Sequence, residues 1–173
     1  MNGIFSWDGG YQPASPILNG AEIKGIEEEI KQTASFRNNY HKACVNLIYT
    51  GKWIINLHSE ILKSFGLTVQ QYNILRILKG QYPASVTVKL IRERMLDKMS
   101  DASRIVEILN QKQLVKRTLN EEDRRKVDVV ITQKGIDLLA GTAGVHKNMD
   151  DFLSALNENE IVLLNALLDK ARS

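Results

Sequence analysis

The sequence predicts a mainly α-helical fold that carries one small β-hairpin. Apolar residues recur at three- and four-residue spacing along most of the chain, which is the period of amphipathic helices. Residues 114–131 depart from that period, because Val127, Val129 and Ile131 fall on one face at the two-residue period of a strand. With 173 residues, 43% hydrophobic and 25% charged, the chain is long enough to bury a core.

The N-terminal third predicts an extended arm followed by two helices. Residues 1–20 contain four glycines and two prolines among scattered aromatics, so they cannot form a continuous helix. The arm either docks through its aromatics or is a loose tail. Residues 21–32 suit a short helix, and a longer helix is expected over residues 35–65. The longer helix carries two adjacent apolar rows, which indicate a multi-helix or inter-subunit interface.

Three helices separated by short turns are predicted in the middle of the chain. The first covers residues 69–79 behind a capping Thr68, and the second covers residues 88–95 behind Thr87. The third covers residues 100–111, where one face is apolar and the other is small, polar and partly basic. The polar face contains Ser100, Asp101, Ser103, Arg104 and Glu107. We expect Asp101 to cap this third helix.

Two strands and two further helices complete the predicted elements. The strands, residues 114–119 and 126–131, flank the polar sequence NEEDRR, which reads as a hairpin loop. Thr132 then starts a helix that bends near Gly141 or Gly144. Asn157 caps a last helix that is apolar almost all round, so we expect that helix to be enclosed.

The order of these elements predicts a winged helix-turn-helix. In that arrangement the second helix of the pair enters the major groove of DNA with its N-terminal residues at the base edges. Ser100 and Ser103 are suited to hydrogen bonds with phosphates or bases, and Arg104 to guanine or phosphate. The adjoining Lys98 and Met99 belong to the same predicted DNA-contacting segment, and Asp101 belongs to it as the helix cap.

The hairpin tip adds a second set of candidate DNA contacts. Arg124 and Arg125 suit a narrow minor groove, because a guanidinium is less costly to desolvate than an ammonium. Asp123 precedes them and is expected to hold Arg125 in an extended rotamer. The alternative is a solvated turn whose acidic and basic side chains neutralise each other.

These motifs together resemble the MarR family of bacterial transcriptional regulators. The resemblance runs from GLTVQQYNILRIL through MSDASRIVEILNQKQLVKRTLNEEDRRKVDVVITQKGIDLL, and LNENEIVLLNALLDK resembles the family's last helix. It covers roughly residues 35–170. It implies a homodimer with interlocking N- and C-terminal helices, in which two winged lobes read a palindromic operator in double-stranded DNA. It also implies that Asp123 is the supporting acid of the wing and Arg125 its minor-groove arginine.

The resemblance divides the chain into four expected segments: an extended arm (1–20), N-terminal dimerisation helices (21–65), a winged helix-turn-helix DNA-binding lobe (66–131) and C-terminal helices that complete the dimerisation region (132–173). Two features depart from the family pattern. The pattern does not explain the arm. Gln113 stands where the family usually has glycine, so we expect either a strained left-handed residue or a different end of the helix.

Members of this family often respond to a small ligand, a metal or oxidation. Cys44 occupies a position similar to the reactive cysteine of the organic-hydroperoxide-sensing branch, although its alternative role is that of a buried small hydrophobe. Trp53, His58 and Tyr72 are candidates to line a ligand pocket, or alternatively belong to the core. The histidines form no closely spaced ligand pair, so no metal site is expected.

Composition excludes several other classes of function. The net charge of +3 permits a nucleic-acid partner, and the single cysteine excludes an internal disulfide. The sequence lacks an apolar run of membrane-spanning length and a secretory signal, so we expect a cytoplasmic protein. No catalytic motif or cofactor is expected. The predicted function is a DNA-binding regulator, a repressor released by a small effector or by oxidation. The alternative is a winged-helix module that binds protein instead of DNA.

Overall fold

A computed structural model of the chain describes residues 17–18, 21–22, 24–120, 123, 127–142 and 150–173. The rest of the expected N-terminal arm, residues 1–16 and 19–20, lies outside the described residues, and so do Arg124 and Arg125 of the hairpin tip. The chain forms two compact units, Met1–Ile55 and Asn56–Ser173. The four expected segments remain a prediction.

The first described elements of the first unit are two very short strands and one turn of helix. Strand β1 (Ile17–Leu18) pairs antiparallel with β2 (Ala21–Glu22), and helix α1 follows at Ile26–Glu29. The helix predicted over residues 21–32 is therefore wrong in its extent. Pairing with β1 holds Ala21 and Glu22 in extended backbone, and Gly25 is also extended (φ −72°, ψ 160°), so α1 has only four residues.

Helix α2 (Asn39–Lys63) starts in the first unit and continues into the second. Its first turn is capped by the Asn38 side chain, whose Oδ1 accepts a hydrogen bond from the backbone N–H of His41 at 2.9 Å. Because of this cap the helix begins four residues later than predicted.

Three capped helices of the second unit confirm the predicted middle of the chain: α3 (Val69–Lys79), α4 (Val88–Arg94) and α5 (Ala102–Gln111). Thr68 forms a capping box with Gln71, and Thr87 and Asp101 cap the next two helices, so each predicted cap is confirmed. Helix α5 starts two residues later than predicted, because Asp101 is its N-cap. Ser100 therefore lies in the preceding loop.

The predicted hairpin is present and belongs to a three-stranded antiparallel sheet. The strands β3 (Val86–Thr87), β4 (Val115–Leu119) and β5 (Val127–Ile131) lie in the order β3-β5-β4. Strand β3 was not predicted, since two residues are too few to show a strand period. Val129 of β5 faces Val86 on one side and Arg117 on the other.

A continuous hydrophobic core joins α3, α4 and α5 to the sheet. Its members without measurable exposure come from α2, α3, α4, α5 and β5: Leu62, Ile74, Leu75, Ile91, Val106, Leu109 and Val129. This core fixes the position of α5 relative to the sheet, so only the polar face of α5 remains at the surface.

The end of α5 shows how the chain accommodates a residue that is not glycine at a helix terminus. Gln113 has φ 62°, in the left-handed region. Its N–H donates to the carbonyl of Asn110 at 2.9 Å, and the N–H of Leu114 donates to the carbonyl of Leu109 at 3.0 Å, which together make a Schellman motif. Thr132 Oγ1 donates to the carbonyl of Gln113 at 2.8 Å. Helix α5 therefore ends in a strained left-handed residue, which is the first of the two outcomes expected for Gln113.

Two helices follow the sheet: α6 (Gln133–Gly141), capped by Thr132, and α7 (Glu158–Ala171), capped by Asn157. Both caps confirm the predicted ones. Gly135 of α6 lies so close to the end of α5 that an added Cβ would be 2.3 Å from the carbonyl oxygen of Leu114. Within the described part of the chain, no residue of α7 is buried, so the expected enclosure of this helix is not provided there.

Candidate nucleic-acid interface

The loop between α4 and α5 is held by one carboxylate. Asp97 accepts hydrogen bonds from the Ser100 hydroxyl at 2.6 Å and from the backbone N–H of Met99 at 3.0 Å. The Ser100 hydroxyl and, after it, the Met99 amide hold the pKa of Asp97 below its usual value. Since Asp101 then caps α5, consecutive residues from Asp97 to Asp101 are fixed by local hydrogen bonds.

A surface groove of about 530 Å³ lies at the N-terminal end of α5. It is lined by residues of α4, the loop and α5: Val88, Lys89, Arg92, Lys98, Met99, Ser100, Asp101, Ala102 and Ser103. Three of these side chains are basic and one is acidic, so the lining carries a net positive charge. Lys98 leans back along the loop, and its Nζ donates to the backbone carbonyl of Glu93.

The groove brings together most of the residues that the sequence predicted for DNA contact. Lys98, Met99, Ser100, Asp101 and Ser103 all line it. Arg104 is the next residue of α5 and is exposed, and its backbone N–H donates to Asp101 Oδ1 at 3.0 Å. That hydrogen bond gives Asp101 the capping role that was expected.

Two basic residues of the groove were not among the predicted DNA-contacting residues. Lys89 and Arg92 lie three positions apart on α4, and residues at that spacing share one face of a helix. This three-residue spacing is the signal in the sequence that could have identified them as a basic face of α4. It was missed because the candidate DNA contacts were sought only in residues 98–104 and at the hairpin tip.

An ion pair that was not predicted from the sequence joins the sheet to α5. Arg117 of β4 pairs with Glu107 of α5, and both side chains are about one-third exposed (32% and 40%). Gln111 Nε2 also donates to Glu107, at 3.3 Å. The pair links the strand that leads into the hairpin tip to the helix that presents the polar face.

The described part of the hairpin tip contains a short hydrogen-bonded chain. Asn120 Nδ2 donates to Asp128 Oδ2 at 2.8 Å, and the backbone N–H of Asp123 donates to Asn120 Oδ1 at 2.9 Å. The side chain of Asp123 is half-buried. The roles predicted for Asp123, Arg124 and Arg125 remain predictions, since both arginines lie outside the described residues.

The sequence profile of the MarR family matches residues 65–126, which include α3, α4, α5 and β4. The HTH-type transcriptional repressor MdtR of Bacillus subtilis (strain 168) is 35% identical over 107 residues, which are 60% of this chain and 66% of MdtR. The chain belongs to the MarR family. It is therefore a transcriptional regulator with a DNA-binding winged helix.

Further MarR-family similarities extend over more of the chain. The HTH-type transcriptional regulator MgrA of Staphylococcus aureus is 27% identical over 134 residues, 77% of this chain and 89% of MgrA. The crystal structure of the S. aureus MepR–DNA complex covers 79% of this chain and 97% of MepR, with a TM-score of 0.68 and 22% identity. The MepR similarity supports the fold. MdtR and MgrA are named as regulators, which agrees with the expectation that the chain is not an enzyme.

The candidate sensor residues of this MarR-family chain lie in different surroundings. Cys44 is exposed on α2 in the single chain, and its role as a redox sensor stays a prediction. His58 and Tyr72 are buried in the second unit with their rings edge to face at 5.4 Å, and the Tyr72 hydroxyl accepts from Arg76 at 3.4 Å. Trp53 belongs to the first unit and is 41% exposed.

The described residues contain neither a membrane-spanning helix nor a cluster of metal-binding side chains. None of the described helices combines the length and apolar character needed to cross a bilayer. Among the same residues, no three side chains of the metal-binding types lie close enough together to hold an ion.

Proposed function

We propose that the chain is a homodimeric repressor that binds a palindromic operator. The observation that carries the proposal is the basic groove at the N-terminal end of α5, which is lined by three basic side chains and two serines. Phosphates of DNA attract the basic groups, while hydroxyls at the start of a major-groove helix are suited to base edges and phosphates. A fixed loop keeps these groups in place before DNA arrives.

The residues in and beside the groove have two different roles in this proposal. Lys89, Arg92 and Lys98 bind phosphates, which fixes the orientation of the lobe without reading sequence. Ser103 and Arg104 lie on the exposed face of α5 and read base edges, with Ser100 beside them. Arg124 and Arg125 enter the adjacent minor groove, with Asp123 as their support.

A homodimer accounts for apolar side chains that remain at the surface. In the second unit, α7 exposes Val162, Leu163 and Leu167, each by more than half. In the first unit, the part of α2 up to Ile55 exposes a separate set of large apolar side chains: Tyr40, Leu47, Ile48, Trp53 and Ile55. A second copy of the chain would cover such faces, and two recognition helices about 34 Å apart would then match a palindrome.

The repressor role, and the release of the repressor from DNA, are inferred by similarity. MdtR, the relative that is 35% identical, is named a repressor. Release by a small effector would act through the buried His58 and Tyr72, and release by oxidation through the thiol of Cys44 on α2. No catalytic step is part of the proposed function.

The test is a fluorescence-anisotropy titration of the protein against its own upstream DNA and a scrambled duplex at two salt concentrations. We expect tighter binding to the upstream DNA and a steep fall in affinity as salt increases. The variant Arg92→Gln should weaken binding to both duplexes and lower the salt slope by about 1. Ser103→Ala should instead change the ratio between the two duplexes.

Two results would contradict the proposal. Equal binding of both duplexes, with no other genomic fragment recovered by the protein, would favour the protein-binding winged-helix module. Uniform loss of affinity in both Arg92→Gln and Ser103→Ala would contradict the division between phosphate-binding and base-reading residues.

A further inference from the structure

Met99 is an apolar side chain in a basic groove. It is 94% exposed, and it lines the groove with Lys89, Arg92 and Lys98. Single exposed apolar residues are common on protein surfaces, so exposure alone assigns no role to Met99. Its position does, because the groove also contains the start of α5, which the proposed function assigns to the major groove of DNA.

The backbone that carries Met99 is fixed on both sides. Its own N–H donates to Asp97 Oδ1 at 3.0 Å, and the hydroxyl of the next residue, Ser100, donates to Asp97 Oδ2 at 2.6 Å. Asp101 then caps α5. The loop therefore displays an unpacked, flexible side chain from a fixed starting point, which allows the thioether to adapt to a contact surface.

DNA offers one apolar group of the right kind at this place. The major groove displays phosphates along its rim and donor and acceptor atoms along its floor, and thymine alone adds a C5-methyl group. We propose that Met99 is a specificity-determining residue that contacts the methyl group of a thymine in each half of the operator. This inference rests on the proposed function, since it requires α5 to lie in the major groove.

Leu96 provides a matched control within the same loop. It is also large, apolar and strongly exposed (85%), and it lies three residues before Met99. Its backbone N–H is held by Asn73 Oδ1 at 3.0 Å, yet its side chain is not part of the groove lining. If exposed apolar surface near DNA were sufficient, Leu96 and Met99 would behave alike. The proposal predicts that they differ.

The experiment begins with selection of binding duplexes from a random-sequence library by the wild-type protein, Met99→Ala and Leu96→Ala at one salt concentration. Each thymine of the wild-type motif is then replaced singly by uracil, which removes only the methyl group. For the wild type we expect about a fourfold increase in Kd at one thymine of each half-site, the loss that corresponds to one buried methyl group. Leu96→Ala should show the same increase.

Met99→Ala should bind the thymine and uracil duplexes with equal affinity, and its selected motif should no longer require thymine at that position. Its thermal unfolding midpoint should equal that of the wild type, because the side chain is almost fully exposed. A wild-type protein that selects a clear motif but tolerates uracil at every position would overturn the role of Met99 while leaving the proposed function intact. So would an unchanged uracil penalty in Met99→Ala. Failure of the wild type to select any motif would overturn the proposed function and this inference with it.

Discussion

Replacement of Gln113 by glycine should stabilise the protein. Gln113 has φ 62°, a conformation that costs an L-residue about 1–2 kcal/mol because Cβ approaches the following carbonyl oxygen. Glycine removes that strain but gains freedom in the unfolded chain, which costs about 0.4–1 kcal/mol. Gln113 is exposed, so loss of its side chain removes little packing. We therefore expect the free energy of unfolding to increase by about 1 kcal/mol.

The end of α2 supplies the opposite change in the same motif. Gly66 has φ 64°, its N–H donates to the carbonyl of Lys63, and the N–H of Leu67 donates to the carbonyl of Leu62. An added Cβ at Gly66 would have no atom within 4 Å, so Gly66→Ala introduces left-handed strain without a clash. Its free energy of unfolding should decrease by about 1 kcal/mol.

The assay is urea-induced unfolding followed by circular dichroism, at one protein concentration for all variants because a dimer's stability depends on concentration. Unequal slopes against urea would be analysed separately, since they indicate a changed unfolded state. If Gln113→Gly leaves the free energy of unfolding unchanged while Gly66→Ala lowers it, the strain argument for the end of α5 is refuted.

The remaining predictions concern the contacts that hold the winged lobe together. Gly135→Ala should lower the free energy of unfolding by about 3 kcal/mol, because the new Cβ would lie 2.3 Å from the Leu114 carbonyl oxygen. Gly141→Ala, in the same helix, places its new Cβ where no atom lies within 4 Å and should change the free energy of unfolding by less than about 1 kcal/mol. Urea unfolding measures both changes. Arg117→Gln removes the ion pair with Glu107 and should cost at most about 1 kcal/mol of stability, since both side chains are partly exposed, yet it should weaken DNA binding by anisotropy. A stability loss with unchanged DNA affinity would show that this pair does not position the hairpin.

The helix boundaries could be predicted where the determining signal was local. Thr68, Asp101 and Asn157 each cap a helix through a side chain that reaches a backbone amide three residues along, so the sequence contains the whole interaction. The prediction of a helix over residues 21–32 was wrong, because Ala21 and Glu22 pair with Leu18 and Ile17 in a two-stranded sheet. The helical spacing of isoleucines does not reveal such pairing. Strand β3 was missed for the same reason, since it exists only through its pairing with β5.

Residues of the candidate site could likewise be predicted where they are neighbours in sequence. Ser100, Asp101 and Ser103 were predicted together because they are neighbours in sequence, and they line one groove. Lys89 and Arg92 come from another helix, and only the core packing of α4 against α5 brings them to that groove. The pairing of Arg117 with Glu107 likewise requires β4 to return alongside α5. Contacts between elements depend on the tertiary fold, which spacing along one element cannot supply.

The apolar pattern of α7, the last helix, is not matched by burial of that helix in the single chain. Its apolar positions predicted enclosure on all sides, yet Val162, Leu163 and Leu167 of α7 are each more than half exposed in this chain. Full burial of an exposed side chain of this kind stabilises a protein by about 1.5–3 kcal/mol, and about half of that remains to be gained at each of these partly exposed positions. Under the proposed homodimer, the pattern reports burial in the assembly instead of burial in the single chain. Under that proposal, the apolar period of α7 predicts the surroundings of the helix in the dimer and not in the single chain.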